Sequence, residues 1–382
     1  MEPQLTSTDQ AHLQRALQLA EGGRGRVSPN PQVGAVIVRD GEIVGEGFHA
    51  ELGGLHAERA ALGDCRSRGE DPAGATMYVT LEPCAHQGRQ PPCVEAILEA
   101  GIARVVIASD DPSEKAAGRG PGILRDGGVE VAFAAGAEAT AARRLNQPFR
   151  KHARTGLPLV VLKLAMSLDG QTATAPADSP WISGPESREL VHRWRAESDA
   201  IAVGIGTALA DDPLLTARLD GARQPKRVVF DSQARLPLDS QLLQTLDRAP
   251  VLVVTAPSAS AERTYALKAA GAEVLHAADL ESALRELGRR EVTSFFLEGG
   301  QTLAAAFVSG GQIDESRTFI APMLLGRQSD SAPRGGGPAR GPRASSAGVP
   351  GGGTGPARLV ALESSTKQVG DDVLITARYK EW

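Results

Sequence analysis

Three short pieces of the 382-residue chain carry residue types that belong together chemically: His56-Ala57-Glu58, Pro83-Cys84 and Cys93. One imidazole and two thiolates can hold zinc and leave a fourth tetrahedral corner for water, as a catalytic zinc requires. Such a water has a pKa of roughly 7, so hydroxide is available at neutrality. Glu58 lies two residues from His56, too close for both to be comfortable ligands of one ion. It reads instead as a proton carrier between water and a leaving amine. Pro83 fits before a helical turn expected to begin at Cys84, where a helix N-terminus favours a thiolate. The rival reading is a closed zinc knot, with His49 or His86 as fourth ligand. Cys65 reads as a small unpaired residue and His12 as helix surface. Asn30, between Pro29 and Pro31, could contact a ligand through its amide or could be a plain turn residue.

The C-terminal half lacks a G-x-G-x-x-G turn, but two glycine turns follow expected strands: Gly204-Ile205-Gly206-Thr207 and Glu298-Gly299-Gly300-Gln301-Thr302-Leu303. A glycine turn opening a helix exposes amides that bind phosphate, and two on one sheet suit a dinucleotide. Lys163 is a charge inside the apolar run Leu157 to Leu168, where a charge needs a partner or a purpose. It reads as functional; a snorkelling edge lysine is the alternative. Arg195 and Arg218 are candidates for clamping a phosphate bidentately.

These residues must be positioned by elements the pattern predicts. A helix spans 9–21, and a hairpin pairs 33–38 with 43–47 across Asp40-Gly41. A helix opens at His56 and runs to about Leu62. Strands follow at 77–81, 105–108 and 129–133, with a helix at 93–100. The basic stretch at 147–158 is expected to separate two domains, with the boundary near 153. Beyond it, strands are expected at 159–166, 200–204, 227–231, 251–255, 294–298 and 317–321, and helices at 185–197, 260–270, 279–289 and 301–309. A terminal hairpin pairs 359–363 with 373–379. Alternating strands and helices make both halves α/β. Residues 331–356 hold nine Gly and five Pro and are expected to form a disordered insertion.

Composition narrows the partners. A net charge of −5 and fourteen aromatic residues (three Trp, three Tyr, eight Phe) oppose a nucleic-acid scaffold, which needs a basic face or stacking platforms. Three cysteines are too few and of the wrong parity for a disulfide framework, so a reducing, cytoplasmic setting is expected. No apolar run is long enough to span a bilayer, so no membrane partner is expected.

The segments PNPQVGAVIV and TLEPCAHQGRQPPC, with HAE between them, resemble the deaminase half of the bifunctional riboflavin-biosynthesis deaminase/reductase family, over nearly all of residues 9–150. Zinc nucleobase deaminases share H-x-E followed by P-C-x-x-C; here the second cysteine comes nine residues after the first, not three. LKLAMSLDG, WISGPESR, VGIGTALADDPLLTAR, VVFDSQARLP and FFLEGGQTLAAAF, with IAPMLLG at 320–326, resemble the reductase half.

The resemblance implies a zinc-dependent pyrimidine deaminase over 1–152, with a cytidine-deaminase-like three-layer α/β/α fold. It implies an NADPH-dependent reductase over 153–382, with a dihydrofolate-reductase-like α/β fold. By carry-over, His56, Cys84 and Cys93 hold Zn2+, Glu58 moves the proton, and Asn30 and His49 reach the substrate. Ala165, Trp181, Thr207, Asp211, Ser232, Gly300, Gln301, Thr302 and Leu303 contact NADPH. Ser179, Arg195, Leu215, Arg218 and Glu298 contact a sugar-phosphate, with Lys163 the candidate proton donor. The substrate expected is a small phosphorylated pyrimidine: hydrolytic deamination, then reduction of its ribosyl group to ribityl. The family also implies a homo-oligomer. Met323 stands where the family's IAPKLLG has lysine, which alters that end of the pocket.

Overall fold

A computed structural model describes residues 5–88, 90–114, 116–172, 181–326 and 358–382. The expected Gly/Pro insertion and Ser179 lie outside them. The chain divides into two compact units: residues up to Pro158 with Gly288–Thr293 and Trp382, and Leu159–Leu287 with Ser294–Glu381. The expected boundary near 153 falls inside the helix Gln147–Thr155. The basic stretch is therefore not a linker; Arg150 and Lys151 on that helix are buried.

The first unit is a five-stranded sheet in the order β2-β1-β3-β4-β5, formed by β1 (Gly34–Arg39), β2 (Glu42–Phe48), β3 (Thr76–Val79), β4 (Arg104–Ile107) and β5 (Glu130–Phe133). β1 is antiparallel to β2 and β3, and β3, β4 and β5 run parallel. Strand periodicity sorts the core into two faces. Ala35, Ile37, Met77, Val79, Val105 and Ile107 meet Ala61, Leu62, Ile97 and Leu124 from helices on one side. Val36, Val38, Tyr78 and Val106 meet Leu13, Ala16 and Ala142 on the other. That is the three-layer α/β/α arrangement. Helix Ala57–Ser67 lies directly on β2 because β2 ends in GEGF: a Cβ at Gly45 or Gly47 would run into the backbone of Ala61.

The second unit is a nine-stranded sheet, β10-β9-β8-β7-β11-β6-β12-β14-β13. Its strands are β6 (Leu159–Ser167), β7 (Ala200–Gly204), β8 (Lys226–Phe230), β9 (Val251–Thr255), β10 (Glu273–His276), β11 (Ser294–Leu297), β12 (Glu315–Ala321), β13 (Glu363–Val369) and β14 (Asp372–Arg378). β10 through β12 in that order are parallel, and β14 and β13 add antiparallel. Phe230, Phe295 and Phe307 pack on one face; Trp194, Phe296 and Phe319 pack on the other.

Two expectations need correction. The terminal hairpin exists, but its first arm is Glu363–Val369 and not 359–363. That arm is the polar ESSTKQV on the outer edge of the sheet, so no apolar alternation marks it. β10 is similarly only half-buried and escaped the pattern.

Candidate functional site: a metal cluster and a sheet edge

His56 is the N-cap residue of helix Ala57–Ser67, so its extended backbone turns the imidazole out just before the helix starts. Glu58 stands in the first turn and is 4% exposed. Helix Cys93–Glu99 begins at Cys93; Cys84 itself lies in irregular chain. The helical turn expected at Cys84 is absent, while the helix expected at 93–100 starts at Cys93 and its first amide reaches Cys84: Cys93 N donates to Cys84 Sγ at 3.3 Å. The helix N-terminus thus supports the thiolate without containing it.

His56 Nδ1 lies 3.5 Å from Cys84 Sγ and 3.4 Å from Cys93 Sγ. A tetrahedral zinc with ordinary Zn–S and Zn–N bonds sets sulfur and nitrogen about 3.6 Å apart, so the three donors fit that ion. Among the described residues the cluster has these three ligands only. His49 is not available as a fourth: Nδ1 is 2.9 Å from the Leu55 carbonyl and Nε2 is 3.1 Å from Asn30 Nδ2. The carbonyl can only accept, so Nδ1 carries the hydrogen and Nε2 accepts from Asn30. Burial lowers the His49 pKa and keeps the ring neutral. Asn30 is left with its amide oxygen and one amide hydrogen to offer a ligand. Burial, with the Cys84 charge adding to it, pushes the Glu58 carboxyl up to about 7. Hydrogen bonding from Cys93 pulls the Cys84 thiol down to about 4, and the same contact pushes Cys93 up.

Asn30, His49, His56, Glu58 and Cys84 line a cleft of about 320 Å³ that also includes Pro29, Glu82, His86 and Asp111, while Cys93 is fully buried. Glu82 adjoins the Pro-Cys motif, though nothing in its spacing singles it out; it is buried and accepts from Gly118 N at 2.8 Å. Phe149 and Glu291 also line the cleft. No local pattern points to them, because only the folded chain brings them there.

In the second unit the candidates gather where parallel strands end, the edge at which open α/β sheets bind ligands. Ala165 is near the end of β6, Thr207 and Asp211 follow β7, Ser232 follows β8, and Glu298 through Leu303 follow β11. The helices Ile205–Asp211 and Gln301–Ser309 start at Gly204 and Gly300, and neither has a side chain capping its first amides. A Cβ on Gly300 would sit 3.1 Å from Thr207 Oγ1, so the two turns are close neighbours. Uncapped amides in paired turns fit a dinucleotide's phosphates.

Arg195 grips Glu298 bidentately, Nε to Oε1 at 2.7 Å and Nη2 to Oε2 at 2.8 Å, and Nη1 donates to the Thr216 carbonyl at 3.2 Å. Burial alone would raise the Glu298 pKa; Arg195 outweighs it and holds the carboxyl below its ordinary value. Burial lowers the Lys163 pKa against the pull of Glu298. Leu215 is buried with φ +53°, while Arg218 is exposed. Trp181 is 55% exposed, with the Arg188 guanidinium 5.4 Å from its ring centre. Gln301 Nε2 donates to Thr172 Oγ1 at 2.9 Å. No helix among the described residues is long and apolar enough to cross a membrane.

A three-ligand metal cluster beside a buried glutamate, joined in one chain to a parallel sheet with paired glycine turns, defines a two-domain deaminase and reductase. Residues 6–109 match the cytidine and deoxycytidylate deaminase zinc-binding region, and residues 158–351 match the RibD C-terminal domain. The riboflavin biosynthesis protein RibD of Actinobacillus pleuropneumoniae is 42% identical over 87% of this chain and 88% of its own; that of Escherichia coli K12 is 43% identical over 83% and 89%. The solved RibD of Acinetobacter baumannii is 38% identical with a TM-score of 0.80, covering 98% of this chain and 99% of its own. A Thermotoga maritima structure described as a diaminohydroxyphosphoribosylaminopyrimidine deaminase/5-amino-6-(5-phosphoribosylamino)uracil reductase is 32% identical with the same TM-score and the same coverage. The chain belongs to the RibD family of bifunctional riboflavin-biosynthesis enzymes, whose cofactors are Zn2+ and NADPH.

Proposed function

We propose that the first unit deaminates 2,5-diamino-6-(5-phosphoribosylamino)pyrimidin-4-one. We propose that the second unit then reduces the ribosyl group of 5-amino-6-(5-phosphoribosylamino)uracil to ribityl. The observation that carries the first assignment is the convergence of His56, Cys84 and Glu58 on one cleft that Asn30 and His49 also line, with Cys93 completing the cluster of ligand atoms.

His56, Cys84 and Cys93 hold the zinc, which when bound acidifies a water for attack. Glu58, its carboxyl near neutrality, takes a proton from the water and gives it to the ring nitrogen, then takes the hydroxyl proton of the hydrated ring carbon and gives it to the amine as the C–N bond breaks and ammonia leaves. Asn30 accepts from the pyrimidine, its orientation fixed by the neutral His49.

In the second half the turns at Thr207 and at Gly300, Gln301, Thr302 and Leu303 hold the NADPH phosphates, with Ala165, Trp181, Asp211 and Ser232 around them. NADPH, when bound, supplies the hydride. Glu298 is kept ionised by Arg195, so it cannot donate a proton; its negative charge instead favours a cationic C1. Lys163 is the donor for the sugar oxygen. Arg195 spends three of its N–H groups on protein partners, so Arg218, with Ser179 and Leu215, is the freer contact for the substrate phosphate. Three free cysteines fit a reducing cytoplasm. The family supports a homo-oligomer, which light scattering would test.

The decisive experiment measures ammonia release and NADPH oxidation separately on one zinc-loaded preparation. Both should be present. Loss of either one from the unsubstituted chain would confine the enzyme to the other half-reaction.

A further inference from the structure

One wall of the deaminating cleft comes from far along the sequence. Segment Gly288–Thr293 packs within the first unit, although the sequence around it builds the second. It is fastened at both ends. His152 Nε2 lies 2.9 Å from the Gly288 carbonyl, and any side chain at Gly288 would strike the Gly156 carbonyl. Ser28 Oγ lies 3.1 Å from Thr293 Oγ1, next to the Pro29-Asn30-Pro31 edge of the cleft.

Between these anchors Glu291 lines the cleft with an exposed side chain, while Glu58 is buried at its floor. The φ of Glu291 is +61°. A left-handed turn is easiest for glycine, yet the residue here is a glutamate whose side chain lines the cleft.

We propose that Glu291 is a specificity-determining residue for deamination, accepting hydrogen bonds from the ribosyl hydroxyls of the substrate. This rests on the deaminase reading above. The reacting ring carbon must meet Glu58 and the metal cluster, so the ribosylamino substituent, two ring atoms away, projects toward the mouth. A carboxylate there accepts from vicinal hydroxyls and repels a phosphate. The sugar, not the phosphate, is therefore the group it holds.

The test compares Glu291→Gly and Glu291→Gln with the unsubstituted, zinc-loaded full chain. Ammonia release is followed with the phosphoribosylated pyrimidine and with 2,5,6-triaminopyrimidin-4-one, which has no sugar. Glu291→Gly removes the carboxylate and relieves the left-handed backbone, so it should fold. The KM for the full substrate should rise about tenfold with kcat within twofold, Glu291→Gln lying between, and the kinetics of the sugar-free base should be unchanged. Equal losses with both substrates, or no loss with either, would overturn the assignment. NADPH oxidation, measured alongside, should be the same in all three proteins. No ammonia from the unsubstituted chain would overturn the deaminase reading and this assignment together, a result distinct from failure of Glu291 alone.

Discussion

The two units solve the same problem, holding a reactive group against a pyrimidine nucleotide, with different materials. The first uses side chains: His56, Cys84, Cys93 and Glu58 come from two helix starts and one loop within 38 residues of sequence. The second, on the proposed reading, uses the uncapped amides that follow Gly204 and Gly300, nearly a hundred residues apart, and one preorganised ion pair, Arg195–Glu298. A side-chain site is fragile to single chemical substitutions. A backbone site is fragile mainly to shape. Substitutions that separate these dependences should affect one activity and spare the other.

The sharpest is Glu58→Gln. It keeps the shape of a residue 4% exposed and removes its proton chemistry. General acid–base catalysis contributes ~10²–10⁴-fold, so ammonia release should fall by that factor while zinc content and NADPH oxidation hold. Ammonia release near the parent rate would remove Glu58 from the mechanism.

Glu298→Ala should be felt in the other half. It leaves the Arg195 guanidinium, with 13% of its side-chain surface exposed, without its counter-charge. Breaking a buried pair costs about 3–5 kcal/mol, read as an earlier urea transition. NADPH oxidation should fall with it, and ammonia release at low urea should not. An unmoved transition would mean the pair contributes nothing to the fold.

The difference in materials also explains what the sequence revealed. A metal site needs rare residue types at workable spacing, and HAE, PC and Cys93 stand out in a chain with only seven His and three Cys. Hydrophobic periodicity was strong enough to locate buried β1, β6, β7 and β9 and the helices Pro185–Glu197 and Gln301–Ser309. It failed where an element is amphipathic at the surface or short. β13, β10 and the helix Gln147–Thr155 carry polar residues whose partners are set by tertiary contacts. Glu291 and Phe149 were invisible for the same reason: nothing in their neighbours announces the cleft. Arg195 was legible as a candidate, but its engagement with Glu298, 103 residues on, was not.

Asp9 tests whether the scaffold under the metal site is itself electrostatic. Its carboxylate accepts from Arg104 Nη1 at 2.7 Å and the Tyr78 hydroxyl at 2.9 Å, and it closes a capping box with Thr6. Burial would raise its pKa, but these donors outweigh burial and hold it well below the ordinary range. A depressed folded-state value stabilises the fold above the unfolded pKa of roughly 4, and that contribution is lost as pH falls below it. Asp9→Asn should therefore cost about 1.5–3 kcal/mol at pH 7, the scale of hydrogen bonds to a charged group. The gap between parent and variant should narrow as pH drops from about 4. A gap independent of pH would assign the loss to packing instead.

Gly300→Val should give the smallest effect and bears most directly on the backbone site. Gly300 has φ −66°, so valine meets no left-handed penalty. A Cβ there lies 3.1 Å from Thr207 Oγ1, close enough that Thr207 must yield by a few tenths of an ångström. The added methyls then stand over the amides that open helix Gln301–Ser309, where a phosphate would approach. The KM for NADPH should rise roughly tenfold, about 1.4 kcal/mol, with little change in the melting of the unit. Ammonia release should not respond. If the KM for NADPH were unchanged, the phosphates would have to be held elsewhere on the sheet edge. The contrast between a side-chain site and a backbone site would then lose its second half.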